Sequence, residues 1–236
     1  MEMVQTIIFL FLLLIFSILS YYKKALNLEG ILLANIVGLT IYLIGVQQIQ
    51  NGLGLFVTIL LFFVISELSS RYVRTKRNIT QHEKRTKVNI IGNAGPAIIF
   101  LLMGNIIGFF GGIATALGDT LSSEIGLFSK KNPRLITNLK EKVPPGTDGG
   151  VTSLGILASF LGATIIGTYY VILFGINLAT VKIGLSILIA GILGTMIDSY
   201  IGATLELKGK VGNTTTNFVA TLSGAIIAII LTMLLG

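Results

Sequence analysis

The chain contains no cysteine, a single histidine (His82) and only 11% charged residues among 236. The missing cysteine excludes disulfides, thiolate metal sites and cysteine nucleophiles. One histidine excludes a zinc centre built on imidazoles, and His82 itself reads as a solvated loop residue. The scarcity of charge excludes an ordinary soluble domain, in which roughly a quarter of residues are charged. Two phosphate-binding signatures are absent as well: Gly-x-x-x-x-Gly-Lys-Ser/Thr, and Gly-x-Gly-x-x-Gly in a strand–turn–helix setting. What remains is apolar, with 53% hydrophobic residues and a mean hydropathy of +0.89. The net charge of +7 belongs to basic loops beside a membrane, because no soluble basic module is long enough to bind nucleic acid.

The apolar runs predict an all-α polytopic membrane protein, a single integral domain over residues 1–236. Six full spans are expected at 4–20, 30–46, 53–66, 154–174, 183–197 and 218–235. The first is followed by Tyr21-Tyr22-Lys23-Lys24, an aromatic belt and anchor, whereas a cleaved signal would place its cations before the run. Residues 71–87 carry seven cations against Glu83 alone, which marks a cytoplasmic loop. Cytoplasmic loops at about 67–92, 118–150 and 198–216 follow, with the N-terminus outside a cell membrane. Residues 93–117 are cut by several glycines, and one crossing there would place the basic 118–150 loop on the wrong side. A re-entrant or broken hairpin hinged at Gly104-Asn105 is therefore predicted, with arms of about 10 to 13 residues, too short to span upright. Small residues four apart (Ala158/Gly162, Ala190/Gly194, Ala220/Gly224/Ala228) predict close helix packing.

The longest polar passage, 118–150, gathers Asp119, Glu124 and Asp148, several cations and the turn Pro144-Pro145-Gly146-Thr147-Asp148-Gly149-Gly150. Carboxylates suit a hard divalent cation, cations suit phosphate, and a glycine-rich turn can direct N–H groups at an anion. Asp198 closes a second glycine-containing apolar run and precedes Glu206, a weak echo of Asp119 and Glu124. Asp119, Glu124 and Asp198 are the expected catalytic and Mg²⁺-binding residues; helix capping is the plainer reading of either aspartate. Arg134 and Lys142 are the better phosphate candidates among cations that otherwise serve orientation and lipid contact. Phosphate or nucleotide binding is also expected at Pro145, Gly146, Thr147, Gly149 and Gly150, with the helix starting near Val151 aimed at them. Asn89, Asn93, Asn213 and Asn217 fit either ligand binding or helix capping.

In order, the chain reads Asn93-Ala-Gly, Gly118-Asp-Thr-x-Ser-Ser-Glu-Ile-Gly126, Arg134-Leu-Ile-Thr137, Val143-Pro-Pro-Gly-Thr-x-Gly-Gly-Val151, Asp198-Ser-x-x-Gly-Ala-Thr-Leu205 and Asn213 to Asn217. This set resembles the integral-membrane family that includes plant phytyl-phosphate kinase, from about residue 85 onward. More distantly, the layout is similar to CTP-using lipid cytidylyltransferases. The resemblance implies a kinase that converts an isoprenoid monophosphate to the diphosphate, with CTP as donor and Mg²⁺ as cofactor. Family members commonly read Leu-Gln where this chain has Leu205-Glu206, so a neutral amide has become a carboxylate. The expected partners are the membrane, an isoprenoid monophosphate and a nucleoside triphosphate, with a homo-oligomer left open. Transfer of CMP to a lipid phosphate is the competing enzyme reading. A transporter with broken helices is the competing reading from another class, disfavoured because the carboxylates lie at helix ends.

Overall fold

In lipid, backbone N–H and C=O groups find partners only inside helices or closed barrels, so the apolar runs fold as helices. The computed structural model describes residues 2–77 and 86–235; His82, Glu83, Lys84 and Arg85 lie outside it. Its helices are α1 (Glu2–Tyr22), α2 (Leu28–Ile49), α3 (Gly52–Lys76), α4 (Lys87–Leu102), α5 (Ile106–Gly126), α6 (Ser153–Phe174), α7 (Leu178–Ile201) and α8 (Asn213–Leu235). A π turn, Gly202–Glu206, continues α7. Seven of these helices are long and apolar enough to cross a membrane, and all six expected spans are among them.

The hairpin turns where expected, at Gly104-Asn105, and Asn105 caps α5 by accepting the Gly108 N–H (2.8 Å). Its arms are longer than expected. α4 has 16 residues and contains Pro96, while α5 has 21 and spans by itself. The short-arm expectation failed because α5 runs through the polar residues to Gly126. For the same reason the loops expected at 118–150 and 198–216 shrink to 127–152 and 207–212. Asp119, Glu124, Asp198 and Glu206 are therefore helical, and the capping reading of the two aspartates falls.

One element escaped the sequence reading. Within the first of these loops β1 (Arg134–Leu135), β2 (Asn138–Lys142) and β3 (Gly150–Val151) form a small antiparallel sheet in the order β2-β1-β3. Leu135 and Val143 pack on Ala203 of the π turn, which fixes the sheet over the end of α7.

α5 is the axis of the bundle and touches α3, α4, α6, α7 and α8. Every residue from 108 to 118 is buried. The small-residue faces predicted from sequence all close on this helix. A Cβ at Gly162 would lie 3.0 Å from the Gly118 Cα, and one at Gly194 or Gly224 would strike Thr115. Thr115 returns its hydroxyl to the Gly111 carbonyl (3.0 Å), so its polar atom is satisfied inside the crossing.

Contacts between helix ends define two faces. At one, Arg71 donates to the Lys23 carbonyl (2.8 Å), Arg77 to the Leu127 carbonyl (2.8 Å), and Lys87 pairs with Glu29 (3.1 Å). At the other, Gln48 donates to the Leu101 carbonyl (3.2 Å). Among the described residues every lysine and arginine except Lys182 lies at or beside the first face, hereafter the basic end.

Gly224→Ala should lower the thermal midpoint in detergent, because the added methyl meets Thr115 and overpacking of this kind costs about 1–3 kcal/mol. Gly212→Ala, which meets nothing within 4 Å, is the control and should melt with the wild type. Equal midpoints for all three proteins would show that the α5–α8 crossing is not tight.

Candidate functional site

At the basic end, a cavity of about 360 Å³ opens between the ends of α4, α5, α7 and α8, under the loop that follows β2. Five carboxylates line it (Asp119, Glu124, Asp148, Asp198 and Glu206), and among the described residues no lysine or arginine does. Hydroxyls and amides make up most of the remaining polar wall.

Two helices bring the central pair together. Asp119 follows Gly118, whose missing side chain lets α5 reach both α6 and α7; a Cβ there would lie 3.0 Å from the Ser159 and Thr195 hydroxyls. Ser159 donates to Thr195 (3.1 Å), and Thr195 donates to the Gly191 carbonyl (3.0 Å), forming a dry hydroxyl layer. One turn above Thr195 is Asp198, whose carboxyl group is within hydrogen-bonding reach of that of Asp119. The Oδ2 atom of Asp198 is buried and, among the described residues, has no hydrogen-bond partner. Glu206 and Asp148 are near enough for their charges to act on this pair. Like charges held so close repel unless a cation or a proton comes between them.

The glycine loop is placed by its contact with the π turn. Gly149 adopts φ +74°, and a Cβ on it would stand 2.4 Å from the Ala203 backbone nitrogen, so no larger residue fits. This contact, with the bond from the Ile136 N–H to the Gly149 carbonyl (3.0 Å), holds Asp148 over the cavity. Gly146, Thr147, Gly149 and Gly150 line the cavity as expected. Not all of their N–H groups are free: that of Thr147 bonds to Pro144 O (3.2 Å) and that of Gly150 to Thr147 O (2.9 Å). Val151 belongs to β3, and α6 begins at Ser153 with Thr152 as its cap; Thr152 lines the cavity, so the helix N-terminus still faces it.

Other expected residues divide. Asn93, Asn213 and Asn217 line the cavity. Asn217 donates to Asn93 (3.2 Å), and Asn93 donates to the Asn89 carbonyl (3.0 Å), linking α8 to α4. Asn89 lines the cavity and also accepts the Thr86 N–H (2.8 Å), which bears out its capping reading. Arg134, Lys142 and Pro145 do not line it. Arg134 of β1 is turned across to the neighbouring strand β2 by a bond to the Leu139 carbonyl, and Lys142 ends the exposed strand β2. Glu124 reaches the cavity but accepts a hydrogen bond from Ser70 of α3. Five residues along a helix from Asp119, it is rotated by about 140°. Asp119, Glu124 and Asp198 therefore do not form the expected metal triad. Indeed, among the described residues no three acidic or histidine side chains cluster closely enough to hold a metal unaided. The sequence names Asp148 among the carboxylates of 118–150 without assigning it a role, and leaves Glu206 unassigned. The signal for both was present in the spacing of small residues, Gly149 against Gly202-Ala203, but is readable only once the two segments touch.

Asp198→Asn removes one of the facing carboxyl groups. In chelator at alkaline pH, where no proton is left between the pair, it should raise the thermal midpoint by a few degrees, about 1 kcal/mol at this chain length. A lowered midpoint would mean that the carboxylate serves the fold instead.

The family model for an integral membrane protein, DUF92, matches residues 11–228. An uncharacterised membrane protein of Methanocaldococcus jannaschii is 34% identical, covering 98% of this chain and 97% of the relative. Protein PGR of Arabidopsis thaliana is 31% identical, covering 80% and 75% respectively. An uncharacterised membrane protein of Synechocystis is 36% identical over 52% of this chain and 46% of its own. No solved structure matches. The chain belongs to the DUF92 family of integral membrane proteins.

Proposed function

We propose that this protein is a membrane-embedded kinase that transfers the γ-phosphoryl group of a nucleoside triphosphate to an isoprenoid monophosphate. The family resemblance makes CTP the donor and a phytyl or geranylgeranyl phosphate the acceptor. The N-terminus then lies outside and the cavity opens to the cytoplasm, a reading that the cation distribution supports. The observation that carries the reading is the meeting of Asp119 and Asp198, from two separate membrane helices, in a cavity lined by carboxylates, hydroxyls and amides.

Mg²⁺ takes hard oxygen ligands, and typically one or two carboxylates with substrate phosphates completing its shell. The residues fit that habit: the pair is all oxygen and, among the described residues, Asp198 Oδ2 has no hydrogen-bond partner and too few carboxylates cluster for an all-protein cage. Asp119 and Asp198 would hold the ion, and its role when bound is to neutralise the donor phosphates. The other steps belong to the chain. A phosphate monoester is already an anionic nucleophile at neutral pH, so no strong base is required. An acceptor oxygen bonds to the γ-phosphorus as its bond to the β–γ bridging oxygen breaks, and the nucleoside diphosphate departs with that electron pair. Asn93, Asn217 and the free N–H groups of the glycine loop would orient the phosphates, and the Thr152 cap would point the α6 N-terminus at them. At about 360 Å³ the cavity is near the small end of ligand pockets, of about 300–1,000 Å³. It suits polar headgroups, and the isoprenoid chain would remain among the helices and lipid.

The test is the purified protein in lipid nanodiscs, with geranylgeranyl or phytyl phosphate and each of the four triphosphates. Label in the γ position should appear in the lipid diphosphate. Transfer of α-label instead would identify a cytidylyltransferase, and no labelled lipid with any donor would end the kinase reading. Asp119→Asn and Asp198→Asn should each reduce kcat by about 10²- to 10⁴-fold while remaining folded, the scale on which electrostatic stabilisation of phosphoryl transfer acts.

A further inference from the structure

We infer that the lysines around the mouth of the acidic cavity form a capture rim, which draws phosphate-bearing ligands to a site that would otherwise repel them. The inference rests on the phosphoryl-transfer reading. It starts from a segregation of charge. The cavity is lined by five carboxylates and no cation among the described residues, whereas the chain segments that run between its lining residues carry cations. Lys130 and Lys131 lie between Leu127 and Pro133, both of which line the cavity. Lys208 and Lys210 lie between Glu206 and Asn213, which line it from the other side. All four lysines are exposed, and among the described residues none is paired with a carboxylate.

Chain geometry fixes how near they are. Each lysine is two or three residues from a lining residue, so its Cα is within about 7–11 Å of that residue's Cα. That is comparable with the Debye length of about 8 Å at physiological salt, so the rim's field reaches the mouth. Membrane orientation needs positive charge on this face but not its placement between lining residues on both sides of the opening. The cations that pair or cap elsewhere (Arg71, Arg74, Arg77 and Lys87) serve helix contacts. Among the described residues the side chains of these four lysines make no such contact. The ligand class is a phosphate anion, either the water-borne triphosphate or the membrane-borne lipid phosphate. Electrostatic steering of this kind raises association rates and weakens steeply with salt.

The test compares the wild type with Lys130→Gln/Lys131→Gln/Lys208→Gln/Lys210→Gln in zwitterionic nanodiscs. The corresponding Lys→Arg variant keeps the charge and serves as the folding control. One arm measures stopped-flow association of a fluescent-labelled nucleoside triphosphate with Mg²⁺, and the other the binding of geranylgeranyl phosphate, each over a series of salt concentrations. At low salt the Gln variant should associate about 3- to 10-fold more slowly, with a flatter salt dependence and an unchanged dissociation rate, and the Arg variant should match wild type. Loss confined to the first arm assigns the rim to the donor, and loss confined to the second assigns it to the acceptor. Equal salt slopes for wild type and the Gln variant in both arms overturn the inference. Steering without any lipid diphosphate product would leave the rim standing and remove the kinase reading.

Discussion

The site depends on how closely four helix backbones can approach one another. Between helices in lipid there is no hydrophobic driving force, so position is set by packing, and packing is tightest where side chains are smallest. Gly118 against Gly162, and Gly194 and Gly224 against Thr115, bring α6, α7 and α8 onto α5. The two central carboxylates are attached to this contact: Asp119 is the next residue after Gly118, and Asp198 is one turn beyond Gly194. Packing and chemistry are therefore not separate regions of the protein. A shift in the crossing moves both acids relative to each other.

A second consequence concerns water. Ser159 and Thr195 close the floor beneath the acids with hydroxyls that are buried and satisfied. Above them the cavity is polar and open to the basic end. The carboxylates sit at this boundary, where they can be reached from solution while resting on a dry, low-dielectric base. Charges in such a place act more strongly than on a free surface. Ser70 of α3 donates to Glu124 of α5 and ties the two helices together at the same level, while Arg71 and Arg74 pair with Glu67 within α3.

Much of this was legible in the sequence, and the reasons differ by residue. Spans were readable because length and hydropathy alone decide them, and the hinge because Gly104-Asn105 offers a turn and a cap together. Asp119 and Asp198 stood out because acids are rare in an apolar chain. Helix ends were not readable, since polarity resembles a loop even where a helix continues beneath it; α5 and α7 both outran their expected limits. Arg134 and Lys142 were misplaced for a related reason. Nearness in sequence to the glycine loop suggested nearness in space, but a strand turned both outward. The sheet itself was hidden because its strands are two to five residues long and β2 is exposed throughout, which leaves no alternation to detect.

The π turn at Gly202–Glu206 adds one residue to each of its hydrogen-bonded rings, as in the bond from the Leu207 N–H to the Gly202 carbonyl (2.9 Å). A regular helix would carry Glu206 about 80° around the axis from Asp198; slower winding through this turn brings the two acids nearer to one line. The turn thus absorbs one residue in the register of α7. Loss of that residue would let the segment rewind as a regular helix, with Glu206 seven residues from Asp198 and still within about 20° of its line. Substitution is more constrained, because Ala203 packs beneath Gly149 and holds the loop that carries Asp148. For a lineage descending from this chain, a one-residue deletion is an open route at this segment and enlargement of Ala203 is a closed one.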